Sequence, residues 1–150
     1  MAKSVSLGLD DQLCFALYAA THRIQALYRP LLEDLGLTYP QYIVLLVLWE
    51  GDDLTVSQLG DRLQLTSATL TPLLKRMEGA GLVYRHRSTV DERKVTVSLT
   101  AAGTALKSEV SPITEAVTCA ASESAEDLED LVARLTELRR QLPGSVQQHS

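Results

Sequence analysis

Between residues 55 and 99 the apolar residues change their period, and that change leaves few folds open. In TVSQLGDRL and SATLTPLLKRMEGAG they recur every three or four positions, as on a helix. In LVYRHR and KVTVSL they alternate, as on a strand. Thr55 is placed to cap the first of these helices. The second is predicted to start near Ser67 and to close at Gly79 or Gly81. Only QLT separates the two helices, so they must turn sharply against each other. STVDER, between the alternating segments, reads as the loop of a hairpin.

Helical patterns flank this block. In residues 11–30, Leu13, Leu17, Ala20, Ile24, Leu27 and, just beyond, Leu31 form a stripe spaced 4, 3, 4, 3, 4. Pro30 is predicted to bend this helix or mark a local break, and Gly36 to end it. Thr38, followed by Pro40 in the first turn, begins a second helix whose apolar run 43–49 reads as buried, with Tyr42 and Trp49 as core residues. Thr100 is placed to cap a helix that kinks at Pro112 and runs on towards Cys119. Ser124 with Asp127 resembles a capping box, before a last helix striped by Leu128, Leu131, Leu135, Leu138 and Leu142.

This order predicts a mainly α fold with a small β-wing, a winged helix-turn-helix. The chain reads as one domain over 1–150, with a DNA-binding module at about 53–100 and dimerisation helices at about 10–35 and 101–142. A homodimer joined through the N- and C-terminal helices covers the two leucine stripes, for which the chain offers little other apolar surface. Packing of the stripes within one chain is the alternative.

Net charge is −5, which by itself speaks against nucleic acid, but its distribution does not. Residues 62–94 hold seven Lys and Arg against Glu78, Asp91 and Glu92, a net +4 on an otherwise acidic body. Phosphate contacts depend on this local charge. The second helix of the pair presents Ser67, Thr69 and Thr71 early and Lys75 and Arg76 late. A helix fits the major groove of double-stranded DNA, where hydroxyls meet base edges or phosphates. Arg85, Arg87, Arg93 and Lys94 fall on or beside the wing, where a cation reaches a narrow minor groove.

No apolar run is long enough to span a membrane, and MAKSVSLGLDD lacks a segment of signal-peptide length; a cytoplasmic protein without a membrane partner is expected. His22, His86 and His149 lack metal-ligand spacing, and neither a Ser/His/Asp constellation nor a phosphate-binding glycine loop stands out. No metal or cofactor is expected.

DERKVTVSLTAAG fits the pattern D-x-R-x5-L-T-x-x-G at Asp91, Arg93, Leu99, Thr100 and Gly103. This resembles the wing signature of MarR-type transcriptional regulators, dimeric winged-helix repressors, and the helix order is similar to theirs over nearly the whole chain. The resemblance implies that Asp91 helps hold Arg93, the wing residue that contacts DNA. A local turn salt bridge is compatible with that role.

Cys14, Tyr18, Thr21, Gln25 and Tyr28 share one side of the first helix. A phenol O–H donated to a thiolate favours the charged, nucleophilic form. Tyr39 opens the next helix and is placed to fold back towards this site. Peroxide attack yields a sulfenic acid, which a second thiol converts to a disulfide; Cys119 is the one other thiol. Against this stands the default reading of both cysteines as small buried apolar residues. The segment LCFALYAATHRIQALYRPLLEDLGLTYPQY is similar to the sensing segment of the organic hydroperoxide resistance regulators, the OhrR branch of MarR proteins. That resemblance implies Cys14 as peroxide sensor, Tyr28 and Tyr39 as its hydrogen-bonding partners, and Cys119 as the resolving cysteine, joined to the sensor of the partner subunit. Tyr18 reads as a structural residue or a pocket wall. The expected function is a repressor released from its operator by an organic hydroperoxide. Two alternatives are a MarR-type repressor switched by a phenolic ligand or another oxidant, and a thiol peroxidase using both cysteines.

Overall fold

The computed structural model describes residues 4–121 and 124–144. After a short 3-10 turn at Leu9–Asp11, six α-helices and three strands follow in order among the described residues: α1 (Leu13–Glu33), α2 (Tyr39–Glu50), β1 (Leu54–Thr55), α3 (Val56–Leu63), α4 (Ser67–Gly79), β2 (Val83–Arg87), β3 (Val95–Leu99), α5 (Ala101–Ala121) and α6 (Ala125–Gln141). The chain falls into two compact units, one ending at Ile113 and one beginning at Thr114.

The first unit holds the winged helix-turn-helix. Helix α2 is apolar on all sides and buries Tyr42, Val44, Leu45, Val47 and Leu48, as a helix enclosed by neighbours must. Around it gather Leu32 of α1, Leu59 of α3, Leu70, Leu73, Leu74 and Met77 of α4, and Val83 and Val97 of the sheet. Reciprocal capping boxes fix two helix starts. Thr38 accepts from the Gln41 N–H while Gln41 reaches back to Thr38, and Thr55 and Gln58 repeat the arrangement before α3. The sheet has the order β1-β3-β2, antiparallel throughout, with Val83 opposite Leu99 and Arg87 opposite Val95. The two-residue strand β1 is too short to leave an alternating pattern in the sequence.

Pro30 and Pro112 break nothing: α1 and α5 each run through their proline. Pro30 stands three residues from the end of α1, where its missing N–H costs a single ladder bond. Beyond α1, Gly36 takes the left-handed conformation at φ 71°, and Leu37 N–H returns to the Leu32 carbonyl.

In the second unit the Ser124 side chain accepts from the Asp127 N–H at 3.3 Å and starts α6. The leucine stripes of the terminal helices are largely uncovered. Leu13 is 60% exposed and Leu131 50%, and Ile24, Leu27, Leu31, Leu135 and Leu142 are exposed as well. Among the described residues no helix is long and apolar enough to cross a membrane. None of their His, Cys, Asp and Glu side chains group to hold a metal ion; His149 lies outside the described residues.

Candidate functional site

The wing signature has a physical reason at each of its positions. Asp91 Oδ1 accepts from the Arg93 backbone N–H at 3.1 Å and from its Nε at 3.3 Å, yet the Arg93 side chain stays 91% exposed. Arg93 is therefore held at its base and presented outward. Ser88 Oγ accepts from the N–H groups of Val90 and Asp91, Ser88 and Lys94 bond through the backbone, and Arg87 Nη1 donates to the Glu92 carbonyl at 3.0 Å. Leu99 packs against the core. Thr100 Oγ1 accepts from the Gly103 N–H at 3.1 Å, capping α5, and donates to the Gly81 carbonyl at 2.6 Å. Gly103 passes so close to Leu82 that no side chain fits there, and its carbonyl accepts from Trp49 Nε1 at 3.0 Å.

Helix α4 is capped by Thr66, which accepts from the Thr69 N–H. It turns Leu70, Leu73, Leu74 and Met77 inward and leaves Ser67, Thr69, Lys75 and Arg76 exposed. Thr71 is half-buried and lines a cleft with Thr55, Val56 and Ser57 at the start of α3 and with Arg93, Lys94 and Val95 of the wing. The tertiary fold thus gathers Thr71, Arg93 and Lys94 at one cleft from two separate segments.

Arg85 is placed differently from the other wing cations. Glu78 accepts its backbone N–H at 2.8 Å and its guanidinium at 3.2 Å, so Arg85 ties β2 to α4. The Arg85 N–H and then its guanidinium hold the Glu78 carboxyl below its ordinary value. Arg62 likewise pairs with Glu50 at 2.6 Å. Neither acid is legible as a partner in the sequence, because each stands on a different element from its arginine.

At the other candidate site, Cys14 and Cys119 are both free and exposed. They are not the buried apolar residues of the default reading. Tyr18, one turn after Cys14, is exposed and packs on His22 with ring centroids 4.2 Å apart. Tyr28 and Tyr39 lie 5.4 Å apart and each also meets Tyr42, at 5.2 and 5.7 Å. Burial, then a hydrogen bond with Tyr42, pushes the Tyr28 phenol well above its ordinary range, and burial raises Tyr39 too. Both stay protonated donors at any physiological pH. Tyr39 also lines a cleft of about 240 Å³ with Gln25, Arg29, Glu33, Leu37, Thr38 and Pro40.

Within one chain the thiol and the phenols do not meet. Cys14 and Tyr28 stand fourteen positions apart on one unbroken helix, about 21 Å of rise, so sharing one side of α1 is not contact. Tyr39 folds onto Tyr28, at the end of α1 away from Cys14, and not back towards the thiol. The third phenol, Tyr42, was assigned to the core and is buried there; its second role, holding Tyr28, was open to reading as the i+3 neighbour of Tyr39.

Helix pair, hairpin and cation-bearing outer face together define a winged-helix DNA-binding regulator. The family model for the transcriptional regulators SarA/Rot matches residues 26–110, and the organic hydroperoxide resistance transcriptional regulator of Bacillus subtilis is 47% identical over 86% of this chain and 88% of its own. The chain belongs to the MarR/SarA-type transcriptional regulators, which are regulators and not enzymes. That sets aside the thiol peroxidase alternative. Among solved structures, the reduced regulator AbfR bound to DNA, from Staphylococcus epidermidis, is 34% identical with a TM-score of 0.76, over 88% of this chain and 90% of that one. The disulfide form of AbfR, also 34% identical, covers 88% of each chain with a TM-score of 0.60.

Proposed function

We propose that the protein is a cytoplasmic homodimeric repressor that leaves its operator when an organic hydroperoxide oxidises Cys14 and a disulfide forms with Cys119 of the partner subunit. One observation carries the reading: the exposed thiol and the phenol trio sit at opposite ends of a helix whose apolar stripe is uncovered. Two copies of α1 packed antiparallel about a two-fold axis near Thr21 bury both stripes. The same packing brings each Cys14 to the partner's Tyr28 and Tyr39, at the cleft beside Tyr39. A thiolate is a stronger acceptor than the phenol oxygen of Tyr42 and draws the donors to itself.

The chemistry then balances. The Cys14 thiolate attacks one peroxide oxygen, the O–O bond breaks, and the alkoxide leaves and takes up a proton as an alcohol. Sulfur is oxidised to sulfenic acid and the peroxide is reduced. The Cys119 thiolate displaces hydroxide from that sulfur to give the disulfide. The states of AbfR fit this order: its reduced and overoxidised forms are both bound to DNA, and it also forms a disulfide.

The single domain, the module at about 53–100 and the dimerisation helices at about 10–35 and 101–142 belong to this reading, as do Ser67, Thr69, Thr71, Lys75, Arg76, Arg87, Asp91, Arg93 and Lys94 as the DNA face. The test is a gel shift on the DNA upstream of the gene, with and without an organic hydroperoxide. Wild type is expected to lose the complex, and Cys14→Ser to keep it. Induction that persists in Cys14→Ser points instead to a non-covalent ligand.

Arg93→Ala is expected to weaken binding to all sequences and to lower the slope of log affinity against log salt by about 1, the loss of one phosphate or groove cation. Titrations at several salt concentrations read this directly, and an unchanged slope removes Arg93 from the DNA face.

Tyr28→Phe and Tyr39→Phe delete a donor and keep the ring. Each is expected to slow sulfenate formation at Cys14, followed by rapid-mixing trapping, with the melting temperature within a few degrees of wild type. Wild-type rates in both variants would take the phenols out of the mechanism.

A further inference from the structure

Ser67, Thr69 and Thr71 are not the residues that stand furthest out on α4. At about 100° per residue, Ala68 lies about 170° from the centre of the buried arc formed by Leu70, Leu73, Leu74 and Met77, and Pro72 and Lys75 about 150°. The three hydroxyl residues lie about 70–110° from it, on the flanks. Ala68 and Pro72 are both exposed. Pro72 is also the sixth residue of α4, past the first turn where proline is tolerated without loss. It has no N–H for the Ala68 carbonyl, so it costs the helix a hydrogen bond, and its exposed ring contributes nothing to the core. The crest of the helix is thus a methyl group, a pyrrolidine ring and the Lys75 side chain, with Arg76 on the flank.

Of these, Ala68 and Pro72 offer neither a donor nor an acceptor. The major groove presents one apolar feature on its base edges, the 5-methyl group of thymine. We propose that Ala68 and Pro72 are specificity-determining residues that read thymine methyl groups. One turn of helix separates them by about 6 Å of rise, close to two base-pair steps of about 3.4 Å. Each half-site therefore carries two thymines within about two base pairs, read through packing, while the hydroxyls on the flanks serve phosphates or neighbouring edges. The inference rests on the reading that α4 is the helix that enters the groove.

The test uses the reduced full chain. Duplexes are selected from a randomised library, and each thymine of the selected site is then replaced singly by deoxyuridine, which removes the methyl and nothing else. The expected result is a position in each half-site where the replacement weakens binding about fourfold, the factor equivalent to about 0.8 kcal/mol for one buried methyl. Pro72→Ala and Ala68→Gly are expected to lose the preference for thymine over uracil at one position each, with folding checked by thermal melting. Uracil tolerated at every position overturns the proposal, as does full discrimination retained by both variants. Lys75→Ala and Arg76→Ala that both bind with the wild-type salt slope show instead that α4 is not on DNA, which overturns the underlying reading.

Discussion

Treated with an organic hydroperoxide, the protein is expected to run as a covalent dimer on a non-reducing gel and to return to a monomer with dithiothreitol. Both thiols are exposed, so peroxide reaches Cys14 and a second thiolate can follow. A disulfide needs the two Cα atoms within about 7 Å. In the proposed dimer, closing it between subunits would pull on the helices that join the two winged modules. Recognition helices of a dimer must meet successive major grooves about 34 Å apart, and a shift of a few ångströms in that spacing spoils one half-site. The diagnostic variant is Cys119→Ser. It is expected to form the sulfenate at Cys14, give no cross-linked band, over-oxidise more readily and stay on DNA at peroxide levels that release wild type. An oxidised wild type that runs as a monomer with both thiols consumed defeats the inter-subunit bond, and an intrachain disulfide or two separate modifications must replace it.

Local chemistry made much of the fold legible. Thr38 and Thr55 cap the helices they were read to cap, because a cap and its Gln partner lie three residues apart and depend on nothing distant. The strands follow from alternation over five residues, whereas the two residues of β1 carry no period. The local positive charge was legible as composition, but the partners of its cations were not. Arg85 looks like its neighbours until Glu78 is seen packed against it across the α4–β2 turn. The thiol site shows another limit. A helical wheel reports angle and discards rise, so Cys14 and Tyr28 looked adjacent while standing about 21 Å apart. The stripes of α1 and α6 were legible as apolar faces, and the single chain leaves them largely uncovered; the second copy that would cover them belongs to the proposed function.

Gly103→Ala is expected to be the most damaging single-methyl substitution in the winged module, lowering stability by about 3 kcal/mol or more, at the upper end for overpacking. A Cβ at this position falls 2.1 Å from the Leu82 carbonyl oxygen, 3.1 Å from its carbon and 3.2 Å from Leu99 Cδ2. The obstacle is backbone, which cannot swing aside as a flexible side chain does. That same Leu82 carbonyl accepts the Thr100 N–H at 3.1 Å, and Leu82 N–H is bonded to Met77 at the end of α4, so moving it strains the wing and α4 together. The Trp49 Nε1 bond to the Gly103 carbonyl is strained with them, leaving a half-buried indole donor without its acceptor. Gly79→Ala is the matched control: nothing lies within 4 Å of its Cβ direction, and an alanine there is expected to be neutral or mildly stabilising. At about 2–4 °C per kcal/mol for a chain of this size, thermal melting should show Gly103→Ala down by roughly 10 °C beside an unmoved Gly79→Ala. Equal melting temperatures would mean that α5 slides away from Leu82 at little cost. The glycine of the wing signature would then need another explanation than close approach.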